Sequence, residues 1–279
     1  MTRSSRWLPL FLALTCSVAL AAPATFGTRT IEVPSPARYV PLATTVPKFI
    51  EIAQGFLPAS NRLVEVYTVP ADRDELVKGN AVSVSRQFQL QVPRSLEGHL
   101  VSQKEFSDAQ GEMEGALKKS MGDASKQAAD LSAAGTSNLK KSTGVDAGVS
   151  MSDIGYQGVY RKEDWGMFFT ITTKVATRIG TDNSSDTMVV AGALVLANHQ
   201  LLYLYDYASL RSQADTDWAK DSLSTWADAI RAANPDDPAI EAQAQRESSG
   251  GFSFKRIGMM ALFGGLIGLI VQMVRGKKN

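Results

Sequence analysis

Two histidines, His99 and His199, are the only imidazoles in this 279-residue chain, and they stand far apart in sequence. A general base or metal-bound pair would have to be assembled from them across the fold, with a serine and carboxylates drawn from elsewhere. His199 falls in Ala197-Asn198-His199, a short connection between two apolar runs, and His99 precedes a long helical stretch. Both therefore read as surface residues. Ser137-x-x-Lys140 and Lys141-Ser142-Thr143-Gly144 are loosely like the nucleophile and basic motifs of penicillin-recognising enzymes. In those enzymes the two motifs lie on separate elements with an S-D-N motif between them, whereas here they share one Ser/Lys-rich stretch. Asp72, Asp74 and Glu75 fit a solvated helical turn better than a calcium loop. No phosphate loop, dinucleotide fingerprint, H-E-x-x-H or nucleophile elbow occurs. No catalytic residue, metal ligand or cofactor is expected, and the chain is expected not to be an enzyme.

Two other groups of residues have suggestive spacing. Tyr203, Tyr205 and Tyr207 alternate along one strand, and Trp218 and Trp226 recur at helical spacing soon after. Tyr203, Tyr205, Trp218 and Trp226 could line an apolar pocket between sheet and final helix; ordinary core packing is the competing reading. Gly264, Gly265 and Gly268 lie in an apolar run, where Gly-x-x-x-Gly permits close helix–helix contact and self-association. Gly111-x-x-x-Gly115 repeats the spacing upstream.

That apolar run, Ile257 to Val274, is uncharged, with Lys255 and Arg256 before it and Arg275, Lys277 and Lys278 after it. Its 18 residues reach ~27 Å as a helix, just enough to span a bilayer core. The other end, MTRSSRWLPLFLALTCSVALAAPATFG, has the form of a secretory leader. It has a basic start, a short apolar core and a small-x-small cleavage site at Ala19-Leu20-Ala21. Cys16 is the only cysteine and is lost with the leader, which removes disulfides, thiolate zinc sites and a cysteine nucleophile. The chain holds 29 Lys+Arg against 28 Asp+Glu; without Arg3 and Arg6 the balance is 27 against 28. No basic field remains to attract nucleic acid.

The elements between these ends must position any site. FGTRTIEV (26–33) and RYVPL (38–42) read as short strands, the second interrupted by Pro41 and suited to a sheet edge. Pro47 opens a short amphipathic helix, with Thr44 or Thr45 as its cap. NRLVEVYTV (61–69) is apolar on both faces and reads as an interior strand. In 81–92, Val82, Val84, Phe88, Leu90 and Val92 share one row in which Arg86 is the single exception. Ser83, Ser85, Gln87, Gln89 and Gln91 form a wholly polar row, which predicts a half-exposed strand. A helix is expected from about Val101 to Ala134 and a mobile loop over 135–148. Strands follow over 149–160, 167–179, 187–196 and 200–207, then an amphipathic helix ending at Asn234-Pro235. A polar tether over 235–256, with room for a brief helix at 239–246, leads to the apolar span.

The segments IEVPSPARYVPL, NRLVEVYTV, QFQLQV, VVAGALVLANHQLLYLYDY and WADAIRAAN resemble uncharacterised membrane-anchored or exported bacterial proteins. Their layout is similar to the PsbP and DcrB-like α/β sandwiches over residues 26–234, excluding 94–150. The resemblance implies an exported, non-catalytic accessory role. The expectation is an α+β fold, an antiparallel sheet covered by helices on one face, with a long helical insertion and a C-terminal transmembrane helix. The domain plan is a signal peptide (1–22), a periplasmic domain (23–234), a linker (235–256), the span (257–274) and a cytoplasmic tail (275–279). Single-pass residence in the inner membrane follows, with the domain in the periplasm. The bilayer, a protein partner of unknown identity and a second copy through the span are the expected partners. The leading functional expectation is a non-catalytic interaction module. The alternatives are a sensor or carrier for a small apolar ligand, and an envelope hydrolase built on a histidine.

Overall fold

The computed structural model describes residues 21–80, 85–144 and 146–247. Most of the expected leader, the expected span 257–274 with Gly264, Gly265 and Gly268, and the tail 275–279 lie outside them. Among the described residues no helix is long and apolar enough to cross a membrane.

A seven-stranded antiparallel sheet organises the chain. In chain order its strands are β3 (Val40–Pro41), β4 (Asn61–Thr68), β5 (Arg86–Pro93), β6 (Ala147–Glu163), β7 (Gly166–Ile179), β8 (Asp182–Ala197) and β9 (Gln200–Ser209). In space they run β3-β4-β5-β9-β8-β7-β6, and a separate hairpin joins β1 (Ala21–Phe26) to β2 (Arg29–Pro34). Pro41 does sit at an edge, where its missing N–H costs no ladder bond. The helices are α1 (Pro47–Gln54), α2 (Pro70–Val77), α3 (Gln103–Thr143), α4 (Gln213–Ala233) and α5 (Pro238–Glu247). The mixed α+β class and the antiparallel sheet agree with the sequence pattern.

Helical cover on one face only does not hold. Side chains of β9 alternate, so Leu201, Tyr203, Tyr205 and Tyr207 enter a core with Phe49, Phe56, Phe106, Met113 and Leu117 from α1 and α3 and the α1 exit. Leu202, Leu204 and Ala208 enter a second core with Phe26, Ile31, Leu223, Trp226 and Ile230, from the β1–β2 hairpin and α4. The sheet is a middle layer, which is why nearly every residue of β9 is buried.

The polar row of β5 misled for a physical reason. Gln87, Gln89 and Gln91 stand opposite Tyr207, Tyr205 and Tyr203 across the β5–β9 ladder. They are buried on the α1/α3 side, not solvated. Asn61 Nδ2 donates to Gln91 Oε1 at 3.2 Å, Gln91 Nε2 to Gln89 Oε1 at 3.0 Å, and the Tyr207 hydroxyl to Gln89 Oε1 at 3.3 Å. Amides that bond one another, as Gln89 and Gln91 do, can occupy an interior that sequence periodicity assigns to water, whereas neither amide atom of Gln87 has a hydrogen-bond partner among the described residues.

The expected loop over 135–148 is helix as far as Thr143, giving α3 its 41 residues. Ser102 caps its start by accepting from Glu105 N at 3.2 Å. Its end is a left-handed Gly144 whose N–H returns to Lys140 O at 2.9 Å. Gly135, which reads as a breaker, packs against the Phe56 ring instead. Ser137 and Lys140 are therefore exposed residues of a helix. Gly111 and Gly115 have open space where a Cβ would stand.

One smaller correction concerns the start of α1. No threonine caps α1: Val46 precedes it without a side-chain bond, and Thr45 Oγ1 turns back to Pro41 O at 3.3 Å. The start of α4 is held by Asp215, whose Oδ2 accepts from Ser212 N at 3.0 Å and Arg211 N at 3.1 Å. The brief helix expected at 239–246 is α5, which docks on the domain through buried Ala244 and half-buried Glu241.

Candidate functional site

A cleft of 470 Å³ opens between the sheet and the middle of α4. Four pieces of chain build it, one of them Val69 just after β4. The loop after β2 supplies Pro36, Arg38 and Tyr39; β5 supplies Arg86 and Phe88; α4 supplies Trp218, Asp221, Ser222, Thr225 and Trp226. Helical spacing puts 218, 222, 225 and 226 on one face of α4, while period two puts 86 and 88 on one face of β5.

The walls are largely aromatic, with Phe88 at the centre. Its ring meets Tyr39 at 4.7 Å and 77°, Trp226 at 5.5 Å and 77°, and Trp218 at 6.2 Å and 66° between centroids and planes. Edge-to-face contact of this kind suits the ring quadrupoles and holds the walls in place. The Trp226 indole N–H donates to Pro34 O at 2.7 Å, which orients that ring. Arg86 lies with its guanidinium carbon 3.9 Å from the Trp218 ring centroid and its Nη2 3.3 Å from Asp215 Oδ1. Backbone amides and this arginine hold the Asp215 carboxyl below its ordinary range.

Beneath the cleft lies Asp206, fully buried on β9 beside Phe88 of β5. Burial pushes its carboxyl well above the usual range, with Ser222 and the charge of Arg86 opposing the shift. Its Oδ1 has no hydrogen-bond partner, while Oδ2 is bonded to Ser222 Oγ. Ser222 Oγ also lies 2.7 Å from Trp218 O. A serine has one proton and cannot donate to two acceptors. A protonated Asp206 removes the conflict: it donates to Ser222, which donates to Trp218 O. Tyr39, half-buried near Asp206, has its phenol pushed up to about 12, mainly by burial.

The four expected pocket residues are split by the sheet. Trp218 and Trp226 line the cleft, but Tyr203 and Tyr205 point into the opposite core with α1 and α3, so they cannot share a pocket with the tryptophans. Period two puts 203 and 205 on one face of β9, and α4 packs on the other, with Leu202, Leu204 and Ala208. Arg86, Tyr39, Ser222 and Asp206 complete the site without having been singled out. The signal for Arg86 was its place as one cation in an apolar row; for Asp206 it was one carboxylate inside an apolar strand.

His199 is not a surface residue. It is 0 % exposed, in a left-handed turn with Asn198. Its Nδ1 lies 3.1 Å from Glu241 Oε2 and 3.3 Å from Val101 O, and its Nε2 lies 3.9 Å from Asp236 Oδ1. Gln103 N donates to the same Glu241 oxygen at 3.1 Å. The imidazole thus joins the β8–β9 hairpin, the start of α3 and α5. No serine hydroxyl is among its described contacts and substrate has no approach, so the hydrolase arrangement is not assembled there. His99 is exposed. Asp72, Asp74 and Glu75 lie on and beside the surface of α2, bonded to Thr68, Arg73 and Lys78 respectively. Among the described residues no group of three His, Cys, Asp or Glu could hold a metal ion.

No family model matches the chain, and no curated protein sequence matches it. Among solved structures it is similar to the Ran-binding protein Mog1p of Saccharomyces cerevisiae, at 12% identity over 82% of this chain and 94% of that one, with a TM-score of 0.24. A point mutant of Mog1 gives 12% identity over 81% and 94%, with a TM-score of 0.25. Likeness that loose carries no argument about what this chain binds.

Proposed function

We propose that this chain is a non-catalytic recognition protein of the bacterial envelope, whose exported α+β domain binds a small ligand in the cleft beside α4. The observation that carries this is the cleft itself: 470 Å³ of space walled by Tyr39, Phe88, Trp218 and Trp226, with buried Asp206 bonded to half-buried Ser222 at its base. Clefts of that size with apolar walls and a few placed polar groups are what small-ligand sites look like. The carrier or sensor reading is thereby favoured over a surface that only docks another protein.

The setting rests on the sequence. Removal of a leader over 1–22 would leave Pro23–Phe26 to pair with Arg29–Glu32 in the β1–β2 hairpin. The apolar run 257–274 then tethers the domain to the inner membrane with its soluble part in the periplasm.

Native mass spectrometry of the full-length protein, released gently from membranes, tests the reading. A bound small molecule is expected, and Trp218→Ala should lose it. A protein that stays bare, and whose tryptophan emission no member of a metabolite library changes, would overturn it.

A further inference from the structure

We infer that the cleft takes a carboxylate joined to a flat apolar body, and that Arg38 at its rim receives the carboxylate; this rests on the cleft being a binding site. Arg38 sits where the backbone would be better served by glycine. Tyr39 N donates to Pro36 O at 3.0 Å, closing a four-residue turn, and Arg38 at its third position has φ 72°. Among the two central residues only Arg38 has a positive φ, which is the type II pattern, and that position favours glycine. An arginine there adds backbone strain and brings no stabilising contact in return. It is exposed, and it makes no ion pair or side-chain hydrogen bond with any described residue. Strain of this kind, at the rim of a cleft, points to a side chain used for something outside the fold.

The remaining cation of the cleft is already engaged. Arg86 is stacked on Trp218 and paired with Asp215, so it serves as wall. Arg38 is left as the cation able to turn its guanidinium to an incoming group, and a carboxylate matches that fork with two parallel hydrogen bonds. The rings of Tyr39, Phe88, Trp218 and Trp226 then take the body of the ligand by stacking and edge contact. Asp206 below opposes an anion little, because burial favours its neutral carboxyl, and a protonated carboxyl fits both contacts of Ser222. Asp221, on the α4 wall, makes no ion pair with a described residue either, and it would favour an amine. The amine is therefore the critical comparison.

The test uses the full-length protein and two fluorinated probes with one ring system and opposite charge, a naphthoate and a naphthylmethylammonium, read by fluorine line broadening. Trp218→Ala measures uptake outside the cleft. The naphthoate is expected to bind at least tenfold more tightly than the amine, by roughly the worth of one charge-assisted pair. Arg38→Gly should remove that preference while the melting temperature stays level or rises, a combination that a purely structural role of Arg38 does not give. Arg38→Asn, which also tolerates the left-handed backbone, provides the same readout if the glycine variant is poorly made. Equal binding of the amine, or naphthoate binding untouched in both Arg38 variants, overturns the carboxylate assignment and leaves the cleft reading standing. Broadening that Trp218→Ala does not reduce for either probe removes both.

Discussion

The Arg86 guanidinium carbon rests 3.9 Å from the centre of the Trp218 ring, and the same guanidinium reaches Asp215 near the start of α4. One side chain thus fastens β5 to the first turns of α4 and forms a wall of the cleft. Arg86→Met keeps much of the apolar stem but loses the cation. It should cost about 1–2 kcal/mol in urea unfolding and shift the emission of Trp218 toward water. Arg86→Lys should recover only part of this, since an ammonium lacks the planar face that stacks.

Asp206 makes stability fall with pH. Its carboxyl keeps a proton in the folded protein at pH values where the unfolded chain has released it, because burial raises the folded value. The folded state then binds more protons, and stability declines by about 1.4 kcal/mol per pH unit above the ordinary carboxylate range until the folded group ionises. Asp206→Asn removes that contribution. Unfolding curves of the two proteins should converge in acid and separate toward neutral pH, with the variant more stable.

Gly135→Ala sets helix propensity against packing. Within α3 the change is worth about 1 kcal/mol in favour of alanine. The added Cβ would fall 2.0 Å from Phe56 Cδ1, and Phe56 is fully buried. Overpacking of this kind costs about 1–3 kcal/mol, so a net loss is expected in chemical denaturation. Phe56→Leu in the same chain should recover part of it.

His199→Ala should loosen α5 before it affects the sheet. The imidazole links the hairpin to Glu241, which also accepts from Gln103 N. Losing the ring leaves partners unsatisfied and should cost roughly 1–3 kcal/mol. Hydrogen exchange is expected to quicken in α5 and the first turn of α3, with β5 and β9 unchanged.

The apolar span gives a separate test of assembly. If Gly264 and Gly268 bring two copies together in the bilayer, Gly→Ile at both should reduce cross-linked dimer in membranes. Equal cross-linking in wild type and variant would reject that contact.

The sheet was legible where patterning was unambiguous. The β4 strand is apolar on both faces and does lie inside the sheet, and the 200–207 run falls within β9. The expected amphipathic helix before Asn234 is α4, with Leu223, Trp226 and Ile230 on its buried face. Burial of the glutamine row was not legible, because one sequence does not show that Gln89 has a tyrosine hydroxyl waiting for it. Nor was the helix through Gly135, where a glycine that reads as a breaker is a contact with Phe56. Half of the cleft was in view as Trp218 and Trp226. The rest depends on residues brought from three distant segments, of which Arg38 and Tyr39 belong to a turn with no periodicity to mark it.

The alternation along β9 gives the domain two cores separated by one layer of backbone, with tyrosines on one side and Asp206 on the other. Neighbouring positions such as Tyr205 and Leu204 therefore answer to different surroundings. Substitutions on opposite faces should combine additively, while those sharing a face should depend on one another. A lineage could then reshape the cleft for a new ligand through α4 and the even positions of β9, with little demand on the core beneath α3. The partition makes the binding face free to change while the other half of the molecule preserves the fold.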